Sequence, residues 1–149
     1  MSLSKQFKVS DKLEQDGAPI RFDADANGKV PCFWIRRVGG RENAYQKVVD
    51  RIMEPHRRAQ EVGALPKTLH EQLRIEMFAE GAIAGWENVL WSDVRAPANT
   101  QAPDSYAPYS KENAIALLNN LPELYGELLA FAVQRSTFLE VNLEQDAKN

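Results

Sequence analysis

Two histidines, one cysteine and three spaced glutamates are the residues of this sequence with the most chemistry to offer. His56 and His70 stand fourteen positions apart, without the i, i+4 spacing that sets two imidazoles on one metal, and each reads as a surface or helix-end residue. Cys32 could act as a nucleophile only with a histidine beside it; in an apolar strand it reads as a small buried hydrophobe. Glu76, Glu80 and Glu87 share a helical face and suggest a carboxylate metal site, but such sites add a Glu-x-x-His pair that is absent here. A solvated face is the simpler reading. The sequence also lacks a P-loop, a dinucleotide fingerprint and a nucleophile elbow. The expectation is a protein that is not an enzyme and uses no metal or cofactor.

The 149 residues suit one domain, long enough to bury about two-thirds of its unfolded surface without staples. Hydrophobic residues at 44% and charged residues at 26% are ordinary soluble values. No apolar run approaches the length of about eighteen that a membrane span needs, so no membrane partner is expected. Residues 1–15 lack the apolar core of a signal peptide, and the lone Cys32 suits a reducing, intracellular setting.

Charge is divided along the chain. Residues 36–74 carry nine Lys/Arg against five Asp/Glu, whereas residues 75–149 carry four against eleven. Such halves can attract within one fold or between copies, which leaves self-association open. The basic residues are interleaved with Glu42, Asp50, Glu54 and Glu61 rather than clustered, so nucleic acid is not the expected partner.

The element that must organise the rest is Pro66–Trp91. At about 100° per residue, Leu69, Leu73, Ile83 and Leu90 fall on one side, and Ile75, Phe78, Ala79, Ala82, Trp86 and Val89 cover the opposite side. This predicts one long buried helix with others packed across both sides. Gly81 and Gly85 suggest close backbone approach, since each costs roughly 1 kcal/mol against Ala inside a helix.

Around it, residues 1–17 read as a short strand or irregular arm. Residues 19–38 read as a β-hairpin turning at Asn27-Gly28, with Pro31 at an edge or strand start. Asn43 and Gln46 have capping-box chemistry for a helix carrying Tyr45, Val48, Val49, Ile52 and Met53, which Pro55 kinks and Gly63 ends. Residues 92–109, with three prolines, predict a long mobile surface loop. Trp91 at its edge reads as core or as an exposed anchor, and Tyr106 and Tyr109 within it as partner contacts or packing on the domain. Ser110 caps a helix with Ala114, Leu117, Leu118 and Leu121 on its stripe. Pro122 opens another with Leu124, Leu128, Phe131, Ala132 and Leu139. The polar end, residues 144–149, should fray. The fold class is therefore mainly α: a single domain over 1–149, with a helical body of four or more helices over 42–140 and the small hairpin packed on it.

The last helix carries more apolar surface than one packing face needs. Tyr125, Leu129, Val133 and Phe138 widen its stripe, and these four are the candidate partner-binding residues, with packing of Tyr125, Leu129 and Val133 on the hairpin as the alternative.

The order of motifs resembles the tail assembly chaperones of long-tailed bacteriophages. The likeness rests on Asp11-Lys12-Leu13-Glu14 with Gly17, on Ile35-Arg36-Arg37, on Gly39-Gly40 with Asn43 and Tyr45, and on Trp86. It continues through Tyr109-Ser110-Lys111-Glu112-Asn113-Ala114, Leu117-Leu118, Leu121-Pro122-Glu123-Leu124 and Phe138, spanning about residues 5–140. The resemblance implies an assembly factor of the host cytoplasm, absent from the mature virion. Its partner would be the coiled-coil-prone tape measure protein, kept soluble until tail tube subunits polymerise around it. The family's longer, frameshifted form recruits the tail tube protein, and this chain resembles the short form. Two other classes compete: a structural head-tail connector or tail completion protein, and a small helical regulator binding nucleic acid through residues 36–74.

Overall fold

Ser2 and Ser10 each start a short helix where an arm or strand was expected. Both hydroxyls accept a backbone N–H three residues on, at Lys5 and Leu13, and so stabilise the first turns of α1 (Leu3–Phe7) and α2 (Asp11–Asp16). The uneven apolar spacing hid them, because only Leu13 is buried along the two helices. The computed structural model describes residues 2–40, 42–95 and 102–142.

The hairpin forms as β1 (Ala18–Arg21) and β2 (Cys32–Ile35), antiparallel, with Ala18 opposite Ile35 and Arg21 opposite Cys32. Phe22 N–H donates to Pro31 O, so the alternation of the ladder turns Pro19 outward, where its missing donor is not needed. The connection is longer than a two-residue turn. Asp25 Oδ1 accepts from the N–H groups of Asn27 and Lys29, and only Gly28 of the Asn27-Gly28 pair takes positive φ, at 78°. Tyr106 donates its hydroxyl to Asp25 Oδ2 at 2.7 Å, a bond that holds the Asp25 carboxyl below its usual range.

Asn43 Oδ1 caps α3 (Ala44–Met53) at Gln46 N. Pro55 forces a 3-10 turn over Glu54–His56 before α4 (Arg57–Glu61), and Gly63 ends it at φ 69°. Pro66 N-caps α5 (Lys67–Met77).

The expected single helix over Pro66–Trp91 does not form. From α5 the chain widens into a π-turn at Phe78–Ala82, then runs as strand β3 (Ile83–Glu87) before the short α6 (Trp91–Val94). β3 joins the free edge of β2, making a sheet of order β1-β2-β3. Trp34 pairs with Gly85 and Ile35 with Ile83, so Ala84 is an extra residue in a bulge. An apolar run of this length suits a fully buried strand as well as a helix. Pairing with β2 sets Trp86 opposite Phe33, with ring centroids 5.8 Å apart at 74°, and two interior glycines weaken the helical alternative. The burial expected of the stretch is present, since Phe78, Ala79, Ala82, Ile83 and Trp86 lie in the main core with Phe33 and Ile35. Gly81 is the close approach: a Cβ there would meet Tyr45 Cδ2 at 2.9 Å and Val48 Cβ at 3.2 Å. Gly85 meets nothing within 4 Å.

The expected 92–109 loop is in part structured. Residues 96–101 and 143–149, the latter including the polar end expected to fray, lie outside the described residues. On either side, Trp91 N–H donates to Ser105 O, Ser92 N–H to Pro103 O and Ala107 N–H to Val89 O, clipping the flanks together. Ala107 is buried and accepts the Trp86 indole N–H at 2.9 Å. Tyr109 packs on Trp86 and donates to Ala79 O at 2.7 Å, so both loop tyrosines are bonded to the domain. Ser110 caps α7 (Lys111–Asn120), and Pro122 opens α8 (Pro122–Val133). A 3-10 turn follows at Arg135–Phe138. The architecture is thus mainly helical with one small antiparallel sheet, as the fold class expected, with a third strand drawn from the middle of the chain.

Trp86 is buried and hydrogen-bonded, whereas Trp91 is half-buried. Trp86→Ala is expected to cost about 3–5 kcal/mol and Trp91→Ala clearly less, compared by urea melts of the two variants.

Candidate interaction surface

α8 is apolar around most of its circumference, yet it is packed on one side only. Leu128 and Ala132 are fully buried, and Leu124, Tyr125, Leu129 and Phe131 are half-buried against the main core. Glu123, Gly126, Glu127, Ala130 and Val133 face outward. Val133 is 52% exposed and Leu121, at the α7–α8 break, 36%. Leu121 therefore does not complete the buried stripe of Ala114, Leu117 and Leu118 that the periodicity assigned to it.

Three of the four candidate partner residues, Tyr125, Leu129 and Val133, follow one line of α8. Tyr125 stands edge-on to Phe78, ring centroids 5.2 Å apart at 81°, and its other side borders a groove. Leu129 supports the core and Val133 is open. Phe138 is the exception: it lies in the following 3-10 turn, is 0% exposed, and forms a small core with Leu13 and Ala18. Gln134 turns extended after α8, breaking the helical register that placed Phe138 on the stripe, and the N-terminal helices cover it. Leu139 leaves the stripe for the same reason and pairs instead with Val9.

The groove beside Tyr125 encloses about 390 Å³ between α5 and the α7–α8 break. Ile75, Leu118, Pro122 and Tyr125 line it with Glu71, Arg74 and other polar side chains. Sequence periodicity missed it because the groove depends on the angle between helices; its one signal was the Leu121-Pro122 junction. Pro122 has no N–H with which to continue α7, so the chain must reorient there.

Several charged residues join elements. Lys111 Nζ lies 2.9 Å from both Glu76 and Glu80, and Arg51 of α3 also pairs with Glu80. Glu76 and Glu80 are thus bridges from α5 and the π-turn to α7 and α3, whereas Glu87 is exposed on β3. Cys32 is buried; burial pushes its thiol up, opposed by Arg21 and supported by Glu87, which keeps it protonated. His56 sits in the 3-10 turn and His70 is exposed on α5. Among the described residues, no three His, Cys, Asp or Glu side chains group as metal ligands would, and no helix is long and apolar enough to cross a membrane.

The exposures of Val133 and Phe138 predict opposite responses to a buried or solvated charge. Val133→Asp should change stability by less than about 0.5 kcal/mol, as surface substitutions do, whereas Phe138→Asp should cost more than about 3 kcal/mol by losing packing and burying a carboxylate. Thermal and urea melts of both variants check this.

A family model described as YdaY prophage protein matches residues 40–149. No curated protein and no solved structure matches the chain.

Proposed function

The chain belongs to the YdaY prophage protein family, and from that premise we propose that it is a tail assembly chaperone. In this reading it is a non-enzymatic factor of the host cytoplasm that binds the tape measure protein, keeps it soluble while tail tube subunits assemble, and is left out of the finished particle. A longer form of the chain would recruit the tail tube protein.

The observation that carries the reading is α8, an apolar helix with an uncovered side. Exposed Val133 and Leu121 and the Tyr125-lined groove offer apolar contact bounded by Glu123, Glu127 and Glu71. A helix laid along such a surface buries its own apolar stripe there and places basic residues against the glutamates. Long helical segments with exposed stripes aggregate unless something covers them, which is the task of a chaperone. The site comprises Tyr125, Leu129 and Val133, without the covered Phe138.

The test is co-expression with the tape measure protein of the same prophage, encoded downstream in the chaperone reading. Wild type is expected to hold it in the soluble fraction, and Val133→Asp, folded by thermal melt, to lose most of that effect. A folded Val133→Asp that solubilises equally well rejects the α8 face. A wild type without effect rejects the chaperone role, and recovery of the chain in purified particles would assign it to the structural class instead.

A further inference from the structure

The N-terminal segment is held to the body as a ligand is held to a site. α1 buries no side chain, and α2 buries only Leu13, which meets Phe138 and Ala18 in a small core apart from the main one, with Val9 and Phe131 at its margin. Val9 pairs with Leu139 in an isolated antiparallel bridge, flanked by Ser10 N–H to Phe138 O at 2.8 Å and Glu140 N–H to Lys8 O at 2.9 Å. Glu14 reaches Arg37 at 3.2 Å with both side chains largely buried, while Arg37 Nε is buried without a partner among the described residues. Arg135 lies over Phe7 at 4.3 Å. Cavities of about 260 and 310 Å³ border the segment. This is a local set of contacts, separate from the main core, of the kind that opens without global unfolding.

The joint between segment and body is short. Gly17 takes φ 95°, and a Cβ there would stand 2.8 Å from Trp34 C, so the joint is tight as well as restricted to glycine. Short joints can pass an element between copies at low cost, because the exchanged segment makes the same contacts in its neighbour.

We propose that residues 2–17 are an exchangeable strap: the segment of one chain seats on the Phe138, Leu139 and Arg37 site of a second copy, joining the two. The occupant is a second copy because its chemistry fits point by point: an extended Val9 for the bridge, a Ser10 cap, a Leu13 anchor for Phe138 and a Glu14 carboxylate for Arg37. The inference is independent of the chaperone reading, since it rests on the Val9–Leu139 bridge and the Leu13–Phe138 contact and needs no tape measure protein.

Cysteines at the bridge report where the strap sits. Val9 and Leu139 form a non-hydrogen-bonded antiparallel pair, whose Cα atoms lie about 4.5 Å apart, within disulfide range. The full chain carrying Cys32→Ala, Val9→Cys and Leu139→Cys is incubated over a range of concentrations, oxidised with oxidised glutathione and run without reductant. The expected result is disulfide-linked dimers whose share rises with concentration and which are lost on adding Leu13→Asp. Internally linked monomer alone, at every concentration, overturns the proposal. Should the cysteine variant not fold, Glu14→Arg and Arg37→Glu chains decide it: each alone sets like charges together, whereas a mixture pairs opposite charges only across copies. Native mass spectrometry should then show heterodimer in the mixture, and its absence overturns the proposal.

Discussion

The fold depends on how the chain leaves α5. A helix that stops inside a core strands its last carbonyl groups, and each must find a donor or cost about 1–3 kcal/mol. The π-turn at Phe78–Ala82 meets this demand with partners from distant parts of the chain. Ala79 O takes the Tyr109 hydroxyl, Gly81 O takes Arg36 NH1 and Ala82 O takes Arg36 N–H. Each of these bonds also fixes the position of another element. Tyr109 anchors the start of α7, and Arg36 locks the end of β2 beside the start of β3. Gly81 lets α3 lie against the same turn. Helical body and sheet are consequently one structure, with the π-turn as a shared joint.

Charge follows the same geometry. The basic and acidic halves of the sequence meet at Glu80, which faces Arg51 from one half and Lys111 from the other. Part of the asymmetry seen along the chain is therefore spent inside the fold, as attraction between α3, the π-turn and α7. What remains on α8, Glu123 and Glu127, is exposed and borders its open apolar side. The open side of α8 is therefore acidic at its margins.

Local chemistry was legible in the sequence wherever one residue decides an outcome. The caps at Asn43 and Ser110, the break at Pro55, the stop at Gly63 and the start at Pro122 all stand where side-chain chemistry places them. What sequence could not give was the identity of the buried run after Met77. Apolar residues on every side specify burial, and both a central helix and a central strand satisfy it; the choice was made by the unpaired edge of β2, far away in the chain. The same limit explains Phe138. A stripe drawn through it assumes that α8 continues, and one extended residue at Gln134 redirects everything after it. The open side of α8 was legible because excess apolar width is a property of the helix itself, whereas the groove beside Tyr125 depends on an interhelical angle.

The bridge between Val9 and Leu139 also sets an order in time. On a ribosome adding about 5–20 residues per second, Val9 emerges on the order of ten seconds before Leu139. Through that interval Leu13 has no Phe138 to pack against, and Ser10 can cap its helical turn but not anchor it. A segment made early is thus placed late. Nascent chains on neighbouring ribosomes of one message present these unpaired segments side by side, so the arrangement of translation itself bears on whether a segment closes on its own chain or on another.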